Sequence, residues 1–170
     1  WVAYGYTTGL SAIDYFLTDK FMAPKGSEHL FSEKLWRLDR YAAPWNPDRN
    51  NMGQVSNLPA LSKGFITFGT ISTLVMRLTE PAIKSWSKIL KKVNNSKLLI
   101  NSMTFTNEII INEFIKKFNH YDIEKDRLIF CSDSPPWKSM RQIDIALDCF
   151  PYNSNATLLE HLYMGNPFIT

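Results

Sequence analysis

The sequence predicts an α/β fold from residue 65 onward, a doubly wound parallel sheet with helices on both faces. Three observations carry this. Short apolar runs and helical patterns alternate without a break after Gly64. The runs are continuous rather than alternating apolar with polar, the mark of strands covered on both faces. Each helical stretch places its apolar residues three and four apart, on one face.

Taken in order, Phe65 to Phe68 is a short β-prone run that ends at Gly69. Thr79 to Val93 is a helix. Thr79 stands at its cap position, Glu80 lies in the first turn, and Pro81 is tolerated there. Its apolar positions 82, 83, 86, 89, 90 and 93 share a face. Lys97 to Ile100 is the next strand. Thr106 to Phe118 is a second helix, with apolar positions 109, 110, 111, 114, 115 and 118. Arg127 to Cys131 is a third strand, Trp137 to Gln142 a short helix at best, and Ile143 to Phe150 a fourth strand. Ala156 to Met164 is a third long helix, with Gly165 just past its end and Pro167 beyond. Phe168 to Thr170 opens a fifth strand.

Residues 1–64 are irregular and broken by Gly5, Pro24, Gly26, Pro44, Pro47, Gly53 and Pro59. Ser11 to Thr18 reads as a helical turn leading into a buried strand. Phe31 to Leu38 fits a helix or a strand. Tyr41 to Ser62, rich in proline and asparagine, reads as an extended connector.

A length of 170 residues holds one ordinary domain or parts of two. Apolar residues at 45% and charged residues at 21% are the mixture of a globular protein. The net charge of +3 is spread thinly, with no basic run denser than Lys91–Lys92 and Lys116–Lys117, so no nucleic-acid partner is expected. No stretch approaches the roughly 20 apolar residues of a membrane span, so no membrane partner is expected either. Cys131 and Cys149 fall in strand runs and read as buried free thiols of a reducing compartment. His29, His120 and His161 lie far apart, which speaks against a metal site. Trp1 to Tyr6 has none of the regions of a signal peptide, and both ends read as cuts in a longer chain.

Ligands of open parallel sheets bind beyond the carboxyl ends of the strands, and three segments fall there. After the fourth strand come Asn153, Ser154 and Asn155, then a helix start. Its unpaired N–H groups and dipole suit a diphosphate, Thr157 adds a hydroxyl, and Glu160, one turn on, can accept from ribose hydroxyls. Plain helix capping explains the same residues locally, and on local physics alone has the better odds. After the first strand come Thr70, Ser72, Thr73 and Arg77, whose guanidinium fork matches phosphate oxygens, although most arginines simply lie at the surface. After the third strand, Trp137 offers a face for a base and Lys138 or Arg141 a cation for phosphate, and a core tryptophan under the Pro135–Pro136 turn is the plainer account.

Four stretches together resemble the C-terminal catalytic region of the O-linked N-acetylglucosamine transferase family, in its SPINDLY-like bacterial branch. They are Gly5 to Asp19, Gly64 to Thr70 with Arg77 and Trp86, Ser134 to Trp137 with Ile143 to Asp148, and Phe150 to Glu160 with Tyr163 to Pro167. The ordered set spans nearly the whole chain. The resemblance implies a GT-B-type, Rossmann-like, inverting and metal-independent glycosyltransferase. Its donor is UDP-N-acetylglucosamine and its acceptor a Ser or Thr hydroxyl of a protein. It implies a cytoplasmic protein with helical tetratricopeptide repeats upstream. Residues 1–64 then end the N-terminal catalytic lobe and include the inter-lobe connector, and residues 65–170 form the donor-nucleotide lobe.

By the same resemblance, Arg77 lies against the diphosphate and is the catalytic residue. Ser72, Asn155, Ala156 and Thr157 contact the donor, Glu160 meets the ribose, and Trp137 falls near the base. Tyr6, Thr7 and Thr8 border the sugar and acceptor. The family's acceptor-side histidine and aspartate regions fall upstream of Trp1, so this piece alone is expected to be inactive. Tyr152 stands where the bacterial branch has His, and Asn155-Ala156-Thr157 where it has Gly-Thr-Thr. The missing hydroxyl at Ala156 removes a hydrogen bond of about 1 kcal/mol. Two other readings stay open, a protein O-fucosyltransferase using GDP-fucose and a nucleotide-binding or interaction module without catalysis.

Overall fold

The computed structural model describes residues 6–42, 45–72 and 77–170. Of the residues singled out above, Gly5, Pro44 and Thr73 lie outside them. The chain divides into two compact units, Trp1–Asn46 and Pro47–Thr170.

In the first unit β1 (Tyr15–Asp19) and β2 (Lys34–Leu38) form a parallel pair, with Tyr15 opposite Lys34 and Asp19 opposite Leu38. Phe31 to Leu38 is thus strand from Lys34, as Leu35, Trp36 and the β-pairing with β1 favour. A crossover joins the two strands, as parallel pairing requires. Asp19 holds its start, since its carboxylate accepts from the Phe21, Met22 and Ala42 amides at 2.8, 2.9 and 2.9 Å.

The second unit is a five-stranded parallel sheet in the order β5-β4-β3-β6-β7, made of β5 (Leu128–Cys131), β4 (Ser96–Asn101), β3 (Ile66–Ile71), β6 (Ile145–Leu147) and β7 (Phe168–Ile169). The doubly wound prediction therefore holds. The chain winds outward from β3 to β4 and β5, then returns to β6 on the other side. The strand order reverses between β3 and β6, which is the switch point of the sheet.

The helices follow their apolar faces. In α3 (Glu80–Lys92) Ala82, Ile83, Trp86 and Leu90 are buried, and in α4 (Glu108–Asn119) Phe114, Ile115 and Phe118. They close the core over Phe68, Leu98 and Ile100. Thr106 belongs to a preceding turn, and Asn107 caps α4 by accepting from the Ile109 amide at 2.9 Å. Ile109 is consequently 72% exposed rather than on the buried face.

Four expectations change. The extended connector carries two short helices, α1 (Arg49–Met52) and α2 (Pro59–Lys63). Asp48 caps the first, and the Asp144 carboxylate holds the second through the Ala60 amide at 2.8 Å. That partner lies 84 residues away, so composition could not reveal it. Next, β3 runs through Gly69 to Ile71, because β4 pairs with it that far. Then β6 is shorter than expected, since Asp144 and Asp148 turn their carboxylates to backbone amides at its two ends. Last, Cys149 is buried but Cys131 only partly, and both are free thiols. Two further helices complete the unit, α5 (Trp137–Met140) and α6 (Ala156–Tyr163).

A candidate donor-nucleotide site

The switch point between β3 and β6 is flanked by the two loops that leave these strands. Ser72 follows β3 directly, is buried, and donates its amide to Asn101 O at 2.9 Å. Arg77 lies further along the same loop, half-buried. Its guanidinium carbon stands 4.7 Å from the ring centre of Tyr152, which comes from the loop after β6. A planar cation stacked on an aromatic face is held in orientation while its edge stays open to hydrogen bonds. The Arg77 Nε is buried and has no hydrogen-bond partner among the described residues. A group with an anionic oxygen is a chemically fitting partner for it.

Thr79 ties the two loops together. Its hydroxyl does not cap α3 but donates to Phe150 O at 2.5 Å. Beneath them lies Cys149. Burial pushes its thiol pKa up, and Thr70 Oγ1 at 3.6 Å pulls only partly against that. It is a neutral thiol of the packing.

The second loop ends at α6. Asn155 occupies the cap position, yet its side chain does not cap the helix. The Leu158 and Leu159 amides return to Asn155 O at 3.1 and 3.3 Å. The Ala156 and Thr157 amides, in the first turn, have no helical carbonyl behind them and point their N–H groups out of the helix start. Capping therefore does not account for Asn155. Asn153 and Ser154 serve a different purpose, because both bind Asp148. Its Oδ1 accepts from the Cys149 and Ser154 amides at 2.8 Å each, and its Oδ2 from Asn153 Nδ2 at 2.7 Å and Thr170 Oγ1 at 3.1 Å. This one buried carboxylate sets the path of the loop into α6.

Glu160 is half-buried one turn along α6. Burial pushes its carboxyl pKa up, and the Trp137 indole, close by, draws it back. The indole N–H is itself buried without a hydrogen bond of ordinary geometry. The structure thus brings Trp137 beside Glu160. Lys138 is exposed, whereas Arg141 is occupied in the fold, donating to Met52 O beside Gly53. Arg141 is removed from the expected phosphate ligands.

A small cleft lies at the ends of β3, β4 and β5, lined by Ser72, Asn101, Ser102, Asp133, Ser134 and Pro136 among others. Asn101 builds its rim. Its Nδ2 donates to Asp133 O at 3.1 Å, and its Oδ1 accepts from the Asp133 amide at 2.8 Å and Ser139 Oγ at 3.2 Å. Sequence reasoning gave Asn101 and Asp148 no role. The signal was there, since each is a polar residue closing an apolar strand run at its carboxyl end.

In the first unit, Thr7 and Thr8 turn their hydroxyls onto Glu33. Expected to border a sugar, they use those hydroxyls within the protein, and Tyr6, 56% exposed, is what the loop presents. Among the described residues no group of three or more His, Cys, Asp or Glu is placed to hold a metal ion. Among them, too, no helix is long and apolar enough to cross a membrane.

No protein-family model matches the chain. Across its whole length it is 34% identical over 174 residues to the probable UDP-N-acetylglucosamine–peptide N-acetylglucosaminyltransferase SPINDLY of Eustoma exaltatum subsp. russellianum. It is 34% identical over 176 residues to the Arabidopsis thaliana protein of the same name. The chain spans 19% of the length of each of these relatives. Among solved structures it superposes on a mutant Thermobaculum terrenum O-GlcNAc transferase with TM-score 0.87 and 28% identity, covering 99% of this chain and 32% of that one. Anabaena HepE in complex with UDP and glucose shares the fold alone, with TM-score 0.54 and 12% identity over 91% of this chain and 43% of that one. The parallel sheet, its switch point and these likenesses are those of a GT-B glycosyltransferase lobe. The chain belongs, as a segment, to the SPINDLY-like O-linked N-acetylglucosamine transferase family.

Proposed function

We propose that the protein containing this segment is a glycosyltransferase that passes N-acetylglucosamine from UDP-N-acetylglucosamine to Ser or Thr hydroxyls of proteins, and that residues 47–170 hold the donor. One observation carries the assignment of the site. Arg77 and the loop that leads into α6 meet beside the switch point between β3 and β6. That is where a doubly wound sheet binds its nucleotide.

In this reading the acceptor oxygen forms a bond to the anomeric carbon from the face opposite the nucleotide. The bond from that carbon to the phosphate oxygen breaks, and the configuration inverts. Negative charge grows on the leaving diphosphate. The Arg77 guanidinium, the Ala156 and Thr157 amides and the α6 dipole stabilise it in place of a metal. Tyr152 stacks on Arg77 and fixes its fork, which compensates for the hydroxyl that Ala156 lacks. Glu160 accepts from the ribose, with the Trp137 indole holding its carboxylate. Ser72 and the adjoining cleft lie on the base side.

Arg77→Ala in the full-length protein tests this. Turnover is expected to fall by about 10²–10³-fold, the usual consequence of removing one donor from a developing charge. Near-normal turnover sinks the assignment. Competition of UDP and GDP for the same protein reads the base, and tighter GDP binding would turn the proposal towards a GDP-sugar donor.

A further inference from the structure

Asp148 follows β6 directly and is 7% exposed. A buried carboxylate costs free energy unless donors surround it. Here four converge. The Cys149 and Ser154 amides both donate to Oδ1 at 2.8 Å. Asn153 Nδ2 donates to Oδ2 at 2.7 Å and Thr170 Oγ1 at 3.1 Å. Two carboxylate oxygens offer about four lone-pair sites, and these donors take them up. Asp148 therefore has no acceptor site left over for a ligand, and what it does it does through the chain around it.

That chain is the loop of residues 149–154. Its first and last amides meet on the same oxygen, so one atom closes the loop. Between them residues 150–153 are all exposed, and the loop has no buried apolar side chain there to fix its shape. Polar ties do this instead. Asp148 makes those at both ends and at Asn153, and the Thr79 hydroxyl makes another at Phe150 O. Tyr152, whose ring lies under the Arg77 guanidinium, stands directly before Asn153. Ser154 stands two residues before α6. All of these residues belong to the one compact unit Pro47–Thr170.

We propose that Asp148 is a positioning residue for the donor diphosphate: by closing the 149–154 loop on its carboxylate, it places the Tyr152 ring that orients Arg77. The inference rests on the glycosyltransferase reading above. A carboxylate suits the task because its two oxygens accept all four bonds at once. Alanine accepts none and leaves the Cys149 and Ser154 amides without their partner. Asparagine keeps one oxygen for those two amides and puts an NH₂ where Oδ2 stands, facing Asn153 and Thr170.

The experiment compares wild-type and Asp148→Ala full-length protein for the affinity of UDP and of uridine by calorimetry. The two ligands share base and ribose, so the difference between them reads the diphosphate. With Asp148→Ala, UDP affinity is expected to fall about tenfold or more, the scale of one hydrogen bond to a charged group, while uridine affinity stays within about twofold. Asp148→Asn is expected to fall between wild type and Asp148→Ala, because the loop still closes on its oxygen. It carries the test should Asp148→Ala fail to fold, with UDP affinity about threefold weaker and uridine affinity again kept. Wild-type UDP affinity in the variant that folds overturns the proposal. So does a parallel loss of UDP and uridine affinity, the pattern of general unfolding. A wild-type protein that binds UDP no tighter than uridine defeats the reading of the site itself, so the wild-type pair separates the two failures.

Discussion

His161 sits inside α6, 1% exposed, with Nδ1 3.3 Å from Asn166 Nδ2. That amide also donates to Met140 O at 2.8 Å, so Nδ1 is the accepting nitrogen of a neutral ring. Burial lowers the histidine pKa to about 4. The unfolded chain takes up this proton near pH 6.5, while the folded chain resists until about 4. Stability from this group is therefore complete above the unfolded value and declines as pH falls through the interval between the two. Unfolding by urea should show a loss of about 2 kcal/mol between pH 7 and pH 5. His161→Gln should flatten that slope, and a wild-type stability unchanged over the interval would contradict the burial argument. Arg77 illustrates a second case at this scale. Its guanidinium lies over the Tyr152 ring, and that stack directs the group.

At the scale of elements, β3 is the strand on which both halves of the sheet close. Gly69 pairs with Leu99 on one side and Ala146 on the other. A Cβ there would stand 2.3 Å from both Cγ1 and Cδ1 of Ile143, which is fully buried. Packing in the sheet thus requires this glycine. Gly69→Ala is expected to cost about 1–3 kcal/mol by overpacking, read as a drop in Tm. An unchanged Tm would show that Ile143 can move aside. The loop into α6 follows a related rule. Its short polar residues look like helix caps, but Asp148 gathers Asn153 and the Ser154 amide and leaves the α6 start open.

The molecule as a whole divides between Asn46 and Pro47, and α1 and α2 fall with the second unit. Asp144 ties α2 to the sheet of that unit. It links the Ala60 amide of α2 to the Thr67 amide of β3, at 2.8 and 2.7 Å, from a site 2% exposed. Every residue proposed to touch the nucleotide lies in 47–170. That stretch expressed alone should bind UDP with a Kd within a few-fold of the whole chain's, measured by calorimetry. A Kd weakened by about 100-fold would place a nucleotide contact in the first unit.

Strand and helix order from Gly64 onward was legible in the sequence, because periodicity and continuous apolar runs report local burial, and each element buries its own face. The loops that carry Arg77 and the α6 start were legible as loops too, since each follows the end of an apolar strand run. Tertiary structure alone decided what those loops do with their polar side chains. Glu33 takes the hydroxyls of Thr7 and Thr8, Asp148 takes Asn153, Arg141 goes to Met52, and Thr79 goes to Phe150. Most of these partners are far apart in the chain. A hydrogen bond is chosen by distance and direction in space, and neither composition nor spacing along the chain encodes it.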